Sequence, residues 1–345
     1  MTTKARIEET ICPVCDSNNV RLVKEKKIRE FKKERFETHE QYYICENCKL
    51  DFAPLMMEEA NISQVYNQYR ERHNLPFPEE IKAIREYYDI AATKMSEILG
   101  FGVNVYRNYE NGDMPSDSNA RLIRIASDPV EFKKLVTLSK PILKETEFNR
   151  IMRKVNERIN EKEESSDTDA FMNYVFEHHE VPSRFTGYKT PSFEALEQMV
   201  IFFAQEVKPW KTVMNKLLFY ADFLNFKRTG YSISGCPYRA ISLGPVPSKY
   251  DVLFSIMEDR NSVCRDYINF PSGATGEKFL ALSEFNTNLF SKVELDVLIE
   301  VCKTFGNLDK TTIVNKSHEE IAWQECSKEK VLIDYQKYAF NLLID

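Results

Sequence analysis

The chain has 345 residues, of which 43% are hydrophobic and 29% are charged. This composition is typical of a globular protein with two or three domains. No stretch approaches the ~20 apolar residues that span a bilayer, so we expect no membrane contact. The first ten residues lack the apolar core of a secretory signal. We therefore expect a cytoplasmic protein, in which the eight cysteines are thiols or metal ligands and not disulfides.

The net charge of −6 is unevenly distributed along the chain. Residues 1–54 carry a net charge of +1, residues 55–140 carry −2, and residues 141–345 carry −5. An acidic protein does not coat nucleic acid non-specifically. Any DNA binding should therefore be local and site-specific, and the acidic C-terminal half suits a basic protein partner.

Two Cys-x-x-Cys pairs stand near the N-terminus, formed by Cys12 with Cys15 and by Cys45 with Cys48. Two such pairs bring four thiolates to one tetrahedral Zn²⁺. Because four thiolates leave no open coordination position, we predict one structural zinc per chain. The intervening residues predict two or three short strands. Residues 1–57 are therefore predicted to form a small β-rich zinc domain, to which the metal supplies stability that its core cannot.

Residues 58–140 contain short helical segments separated by proline and glycine. One helix is predicted from Ala91 to Leu99, stopping at Gly100, and the next from about Gly102 to Glu110. Two short helices joined by a tight glycine turn predict a helix-turn-helix, whose second helix enters the major groove of DNA.

Three polar residues of this predicted recognition helix share one face, because they are spaced three and four positions apart. They are Asn104, Arg107 and Asn108. Asn can bind adenine N6 and N7, and Arg can bind guanine O6 and N7, so we predict that these side chains contact DNA. The alternative is an ordinary four-helix module with a polar outer face.

The two cysteine pairs, followed by Gly102-Val-Asn-Val-Tyr-Arg-Asn-Tyr-Glu-Asn-Gly112, resemble the MqsA-type antitoxins over roughly residues 10–135. The resemblance implies a zinc domain followed by an XRE-like helix-turn-helix. It also implies that Asn104 reads DNA bases. The family's second DNA-reading residue is an Arg directly before Tyr-Glu, where this chain has Asn108, with Arg107 one position earlier. This departure concerns the operator sequence more than DNA binding itself.

Residues 141–170 are charged and poor in aromatic side chains, and they predict a linker that ends in a helix fraying into a flexible hinge. Aromatic density rises from Phe171 onward, so residues 171–345 are predicted to form a separate, mainly helical domain. With such a linker, the two halves should fold independently.

Three segments of residues 171–345 are similar to the Panacea domain. They are Lys216-Leu-Leu-Phe-Tyr-Ala-Asp222, a turn at Gly244-Pro-Val-Pro247, and Ser317-His318 with Trp323. The resemblance implies an antitoxin module that neutralises a cognate toxin by direct binding, and a related member acts as a proteolytic adaptor for its toxin. It identifies no toxin-contacting residue and implies no catalytic residues.

Other candidate chemistry in the C-terminal half is weak. His318 with Glu319 and Glu320, and His178-His179-Glu180, could be read as metal or hydrolase clusters, but structural or partner contacts explain them more simply. Cys236, Cys264, Cys302 and Cys326 have no metal-binding spacing. No phosphate loop, nucleophile elbow or dinucleotide-binding fingerprint is present. We therefore expect a protein that is not an enzyme.

Together these features predict an α+β, mainly helical antitoxin. It would bind operator DNA as a homodimer through its helix-turn-helix and capture a protein toxin through its Panacea domain. The alternative is a stand-alone transcriptional regulator whose C-terminal domain senses a ligand or recruits a protease. A zinc-dependent hydrolase is a third, more remote reading.

Overall fold

The computed structural model describes residues 10–164, 166–179, 181–271 and 273–344. As predicted, the fold is mainly helical α+β, and the described residues include three small antiparallel sheets. No helix in these ranges is long and apolar enough to cross a membrane. The first nine residues, in which no secretory signal is expected, and Glu180 lie outside the described residues.

The N-terminal sheet has the strand order β1-β2-β3, with β1 at Val20–Phe31, β2 at Glu34–Cys45 and β3 at Asp51–Phe52. β1 and β2 pair along all twelve residues, so these strands are longer than the short ones predicted. Their turn is made by Lys32 and Lys33, both with positive φ, which is the geometry of a tight hairpin but without its usual Asn or Gly. Without that signal, the sequence predicted the strands but not the position of the turn between them.

Helix α1 (Leu55–Arg72) packs against β2 through polar side chains. The Asn61 side chain accepts a hydrogen bond from the backbone N–H of Gln41 (3.1 Å) and donates one to its carbonyl (2.9 Å). Gln64 makes the same pair of bonds with His39, at 2.8 and 2.9 Å. Strand β3 pairs only with Tyr43 and Ile44, so it does not reach His39 and Gln41. The side-chain amides of α1 bind the backbone N–H and C=O groups of these two residues in its place. The sheet and α1 therefore form one N-terminal unit, and the boundary predicted at residue 57 falls inside α1.

Six helices form the second unit. They are α2 (Pro78–Tyr87), α3 (Ala92–Ile98), α4 (Val105–Glu110), α5 (Asp117–Ala126), α6 (Pro129–Leu138) and α7 (Glu145–Glu164). Each helix contributes to one hydrophobic core. The buried side chains, one from each helix in order, include Ile81, Met95, Tyr106, Ile123, Phe132 and Ile151.

Helix α7 occupies most of the linker predicted for residues 141–170, which is a correction to that prediction. Ile151 and Val155 lie one helical turn apart and are fully buried in the core of the second unit, and Phe148 packs against the same core. The apolar residues recur at helical spacing but are interspersed with many charges. The high charge suggested a hinge, whereas the spacing determines the packing.

The C-terminal unit contains the remaining helices and two hairpins. These elements are α8 (Ser166–Val175), α9 (Phe193–Val207), α10 (Lys211–Thr229), β4 (Tyr238–Ile241), β5 (Gly244–Pro247), α11 (Tyr250–Asp259), β6 (Val263–Asn269), β7 (Thr275–Ala281), α12 (Lys292–Phe305), α13 (Lys310–Glu319), α14 (Ile321–Cys326) and α15 (Tyr335–Tyr338). Helix α10 is central, because every residue from Val213 to Lys227 is buried. The turn predicted at Gly244–Pro247 is instead the strand β5, which pairs with β4.

The N-terminal unit packs against the C-terminal unit. The ring of His39 in β2 stacks on Phe340 with centroids 5.1 Å apart. Gln336 donates a hydrogen bond to the side chain of Gln64 in α1 at 3.1 Å. The halves of the chain thus share buried contacts, which the prediction of independent folding did not anticipate.

Candidate functional site

The four cysteines predicted as metal ligands come together at the base of the N-terminal sheet. Their Sγ atoms all lie within 4.8 Å of one another. Two of the separations, Cys12 to Cys48 and Cys15 to Cys45, are 3.5 Å. A tetrahedral Zn²⁺ about 2.3 Å from each sulfur would separate the sulfurs by about 3.8 Å. The donor set and its spacing therefore fit one metal ion.

The two Cys-x-x-Cys loops have matching backbone geometry. The N–H of Asp16 donates to the carbonyl of Cys12 at 3.0 Å, and the N–H of Lys49 donates to that of Cys45 at 2.9 Å. Asp16 and Lys49 both have positive φ, so each loop curls back toward its first cysteine. This local geometry turns both sulfurs of each loop toward the other loop.

The protonation of these thiols also suits a cation. The backbone N–H of Cys48 is the main cause that lowers the pKa of Cys45 to about 6. At Cys48 the N–H of Leu50 acts in the same direction, but desolvation and the hydrogen bonds of the neighbouring thiols raise the pKa to about 12. Four sulfurs this close cannot all be thiolates unless a positive charge lies between them. A divalent metal would supply that charge.

The predicted DNA-contacting residues lie on the outside of the second unit. Arg107 and Asn108 are exposed on α4, and Asn104 is the exposed residue that precedes its first turn. None of the three side chains makes a hydrogen bond to any described residue. Helix α4 begins at Val105, slightly later than predicted. The three polar groups are therefore available to a ligand.

The opposite side of α4 is fixed to the bundle. Tyr106 is fully buried and its hydroxyl donates to the carbonyl of Ile81 at 2.7 Å. Glu110 accepts a hydrogen bond from Arg85 of α2 at 2.5 Å. These contacts hold the helix in one orientation, so its exposed face is presented rigidly.

In the C-terminal unit, Asp222 of α10 is a buried hydrogen-bond acceptor. Its carboxylate accepts bonds from the N–H of Ile233 (2.7 Å), the N–H and hydroxyl of Ser234 (2.7 and 2.6 Å), and the hydroxyl of Tyr238 (2.7 Å). Burial raises its pKa, and these bonds act against that rise. With four donors satisfied by the chain itself, Asp222 holds together the segment between α10 and β4.

Lys216 is buried against β5. Its Nζ donates to the carbonyl of Pro245 at 2.7 Å, and burial lowers its pKa to about 7. Gly244 has a φ of 99°, and a Cβ there would lie 2.3 Å from Ser317 Oγ and 2.6 Å from Lys216 Cε. Only glycine fits between these side chains. The three segments singled out by the sequence therefore meet in one packed cluster.

The histidines considered above as members of metal or hydrolase clusters have other surroundings. His318 lies near the end of α13, where its ring stacks on that of Trp323 with centroids 3.6 Å apart. His179 packs against Phe185. Across the described part of the chain, the four cysteines are the only group of three or more Cys, His, Asp or Glu residues close enough to hold a metal ion.

Comparison with known protein families identifies part of the C-terminal unit. Residues 214–324 match the family described as antitoxin SocA-like, Panacea domain. These residues are therefore similar to a Panacea domain. They span α10 to α14 and include the Lys216 cluster, and their antitoxin-like character supports an antitoxin role for the chain. Searches of curated proteins and of solved structures found no match.

The polar face of α1 was not recognised from the sequence. Asn61, Gln64, Asn67 and Arg70 recur every three residues and are all buried. The sequence does show polar side chains at every third position. This pattern did not indicate burial, because a helix face exposed to solvent has the same pattern. Their role as contacts to the sheet and to the Panacea domain depends on partners distant in sequence.

Proposed function

We propose that the chain is the antitoxin of a toxin–antitoxin pair, which neutralises its toxin by binding it through the Panacea domain. The observation that carries this proposal is the antitoxin-type match over residues 214–324. The net charge of −5 on residues 141–345 suits a basic partner, because opposite charge steers association. Affinity would come from apolar anchors that become buried on binding.

The second unit would bind operator DNA and repress the operon. Asn104, Arg107 and Asn108 are exposed side by side on a rigidly held helix, and their side chains have no other hydrogen-bond partner among the described residues. One such helix provides limited affinity, so we propose a homodimer that reads two half-sites about 34–36 Å apart. An operator-binding protein of this kind would act in the cytoplasm.

The four cysteines would hold a structural Zn²⁺. When bound, the metal supplies stability and no chemistry, because four sulfur ligands complete a tetrahedral shell. It would fix the ends of the N-terminal sheet, and through α1 it would support the contact with the Panacea domain.

Co-expression tests the antitoxin role. The full chain and the protein encoded beside it are expressed separately and together, and growth is measured. Neutralisation predicts that the neighbouring protein arrests growth when expressed alone. Co-expression of the full chain should restore growth, and the two proteins should co-purify. The C12S/C15S variant is tested in the same way, to show whether neutralisation depends on the zinc site. If no neighbouring protein is toxic or binds the chain, the antitoxin proposal fails and the stand-alone regulator is favoured.

A further inference from the structure

A groove of about 840 Å³ lies where the three units meet. Its walls are formed by α1, by the start of α2 with the turn after α4, and by the end of α10 with the start of α12. Ligand pockets have volumes of roughly 300–1,000 Å³, so this groove is large enough for several residues of a partner. An occupant would touch the N-terminal unit, the helix-turn-helix and the Panacea domain together.

Two nearly fully buried side chains on the walls each have one polar atom without a partner. Arg70 is 1% exposed, and it donates to the side chain of Asn67 (3.3 Å) and to the carbonyl of Gly112 (2.6 Å). Its Nε has no acceptor among the described residues. Asn225 is 2% exposed and donates to the carbonyl of Tyr231 at 2.9 Å, whereas its Oδ1 accepts no hydrogen bond there.

These two atoms are themselves buried beneath the surface of the groove, so an occupant would contact the exposed side chains of the rim and not these atoms. Arg70 and Asn225 therefore belong to the wall that supports the groove.

The charges on the walls favour a basic segment. Glu59, Glu79 and Asp113 are exposed, line the groove and have no ion-pair partner among the described residues. Most lysines and arginines of the walls are already paired with carboxylates. These pairs are Lys82 with Glu86, Lys189 with Glu294, and Arg228 with Glu300. The charge available for a partner at the rim is thus negative.

Apolar side chains on the α1 wall supply the remaining surface. Met56 is 53% exposed and Ile62 is 42% exposed, and both line the groove. Tyr66 and Val293 extend the apolar surface toward the interior. A partner that covers Met56 and Ile62 would gain from their burial.

We propose that this groove binds a basic segment of the cognate toxin; this inference rests on the proposed antitoxin function. The Lys or Arg side chains of the segment contact Glu59, Glu79 and Asp113. The toxin is therefore held by residues outside 214–324 as well as by the Panacea domain.

The test reverses the charge of the rim in the full chain. The variant Glu59→Lys, Glu79→Lys and Asp113→Lys is compared with a control that reverses three exposed carboxylates outside both the groove and the Panacea domain, Glu30→Lys, Asp89→Lys and Glu145→Lys. Both change the net charge equally. Binding of the toxin from the neighbouring gene is measured by calorimetry, and the melting temperature confirms folding. We expect the rim variant to bind at least about tenfold more weakly than the control.

A second variant tests whether weaker binding comes from the loss of the carboxylates and not from the added lysines. Glu59→Gln, Glu79→Gln and Asp113→Asn removes the charges without adding new ones, and we expect it to weaken toxin binding about threefold. If the rim variants bind the toxin as tightly as the control does, the groove is not the toxin site, although the antitoxin proposal survives. If the wild-type chain binds no toxin, both proposals fail.

Overlapping synthetic peptides that cover the toxin sequence identify the segment. A basic peptide should bind the full wild-type chain and compete with the intact toxin, and it should lose affinity for the rim variant. Competition by an acidic or purely apolar peptide that is insensitive to the rim charges would overturn the inference.

Discussion

The side chain of Asn67 in α1 donates a hydrogen bond to the carbonyl of Gly230 at 3.1 Å, although these residues are 163 positions apart. Its oxygen accepts a hydrogen bond from the hydroxyl of Tyr231 at 2.9 Å. Gly230 ends α10 with a φ of 80°, and a Cβ there would lie 3.0 Å from the Cβ of Ser63. Glycine thus both terminates α10 and permits α1 to approach closely. A fully buried amide joins the N-terminal unit to the Panacea domain.

Replacing Asn67 should therefore weaken the whole molecule. Asn67→Ala leaves the carbonyl of Gly230 and the hydroxyl of Tyr231 without this partner, and the expected loss is ~1–3 kcal/mol in the free energy of unfolding. Urea denaturation measures it. Glu58→Ala, on the exposed part of the same helix, is the control and should have little effect. Equal stability of the two variants would show that the units do not depend on this contact.

Removing a cysteine ligand should release the metal. Wild-type protein is expected to contain about one Zn²⁺ per chain, and Cys45→Ser should contain much less, because its sulfur is one of four ligands. The N-terminal sheet should then become sensitive to protease. Elemental analysis and limited proteolysis are the measurements. Cys264→Ser, outside the cluster, should retain the metal; a metal-free wild-type protein would refute the zinc site.

Mutation of α4, the proposed recognition helix, should weaken operator binding without unfolding the protein. Asn104→Ala and Arg107→Ala are each expected to cost ~1–3 kcal/mol in specific binding, through lost base contacts. Electrophoretic mobility shifts with the operon's promoter measure the affinity, and circular dichroism measures the fold. Arg153→Ala, an exposed arginine on α7, serves as the control. If both variants bind like this control, another surface contacts DNA.

Lys216 should make stability increase with pH above neutrality. Burial lowers its pKa to about 7 in the folded protein, whereas an unfolded lysine has a pKa of about 10.4. Between these values the unfolded state binds more protons, so the free energy of unfolding rises with pH. Lys216→Met should remove this contribution, and exposed Lys316→Met should retain it. The free energy of unfolding of both variants is measured by denaturation at pH 7, 8 and 9. The advantage of Lys316→Met over Lys216→Met should grow from pH 7 to pH 9.

The features that were predicted successfully depend on residues close together in sequence. The spacing within each cysteine pair anticipated the four-sulfur cluster, and glycine and helical periodicity anticipated the helices on either side of Gly100. The Panacea segments were recognisable from their residues, and the family match covers them. The packing of α7 into the core of the second unit was missed because its apolar stripe is interspersed with charges. The strand at Gly244–Pro247 was missed because two prolines suggest a turn.

By itself the sequence determined the mainly helical α+β class, the four cysteines that fit a metal ion, and an antitoxin-like C-terminal domain, since these follow from local spacing and residue type. Only the tertiary structure decided that Asn67 faces Gly230, that Lys216 is enclosed by Gly244 and Ser317, and that three units enclose one groove. A polar side chain has the same local pattern whether it faces water or a distant strand. Its role is determined by which remote donor or acceptor the fold places beside it.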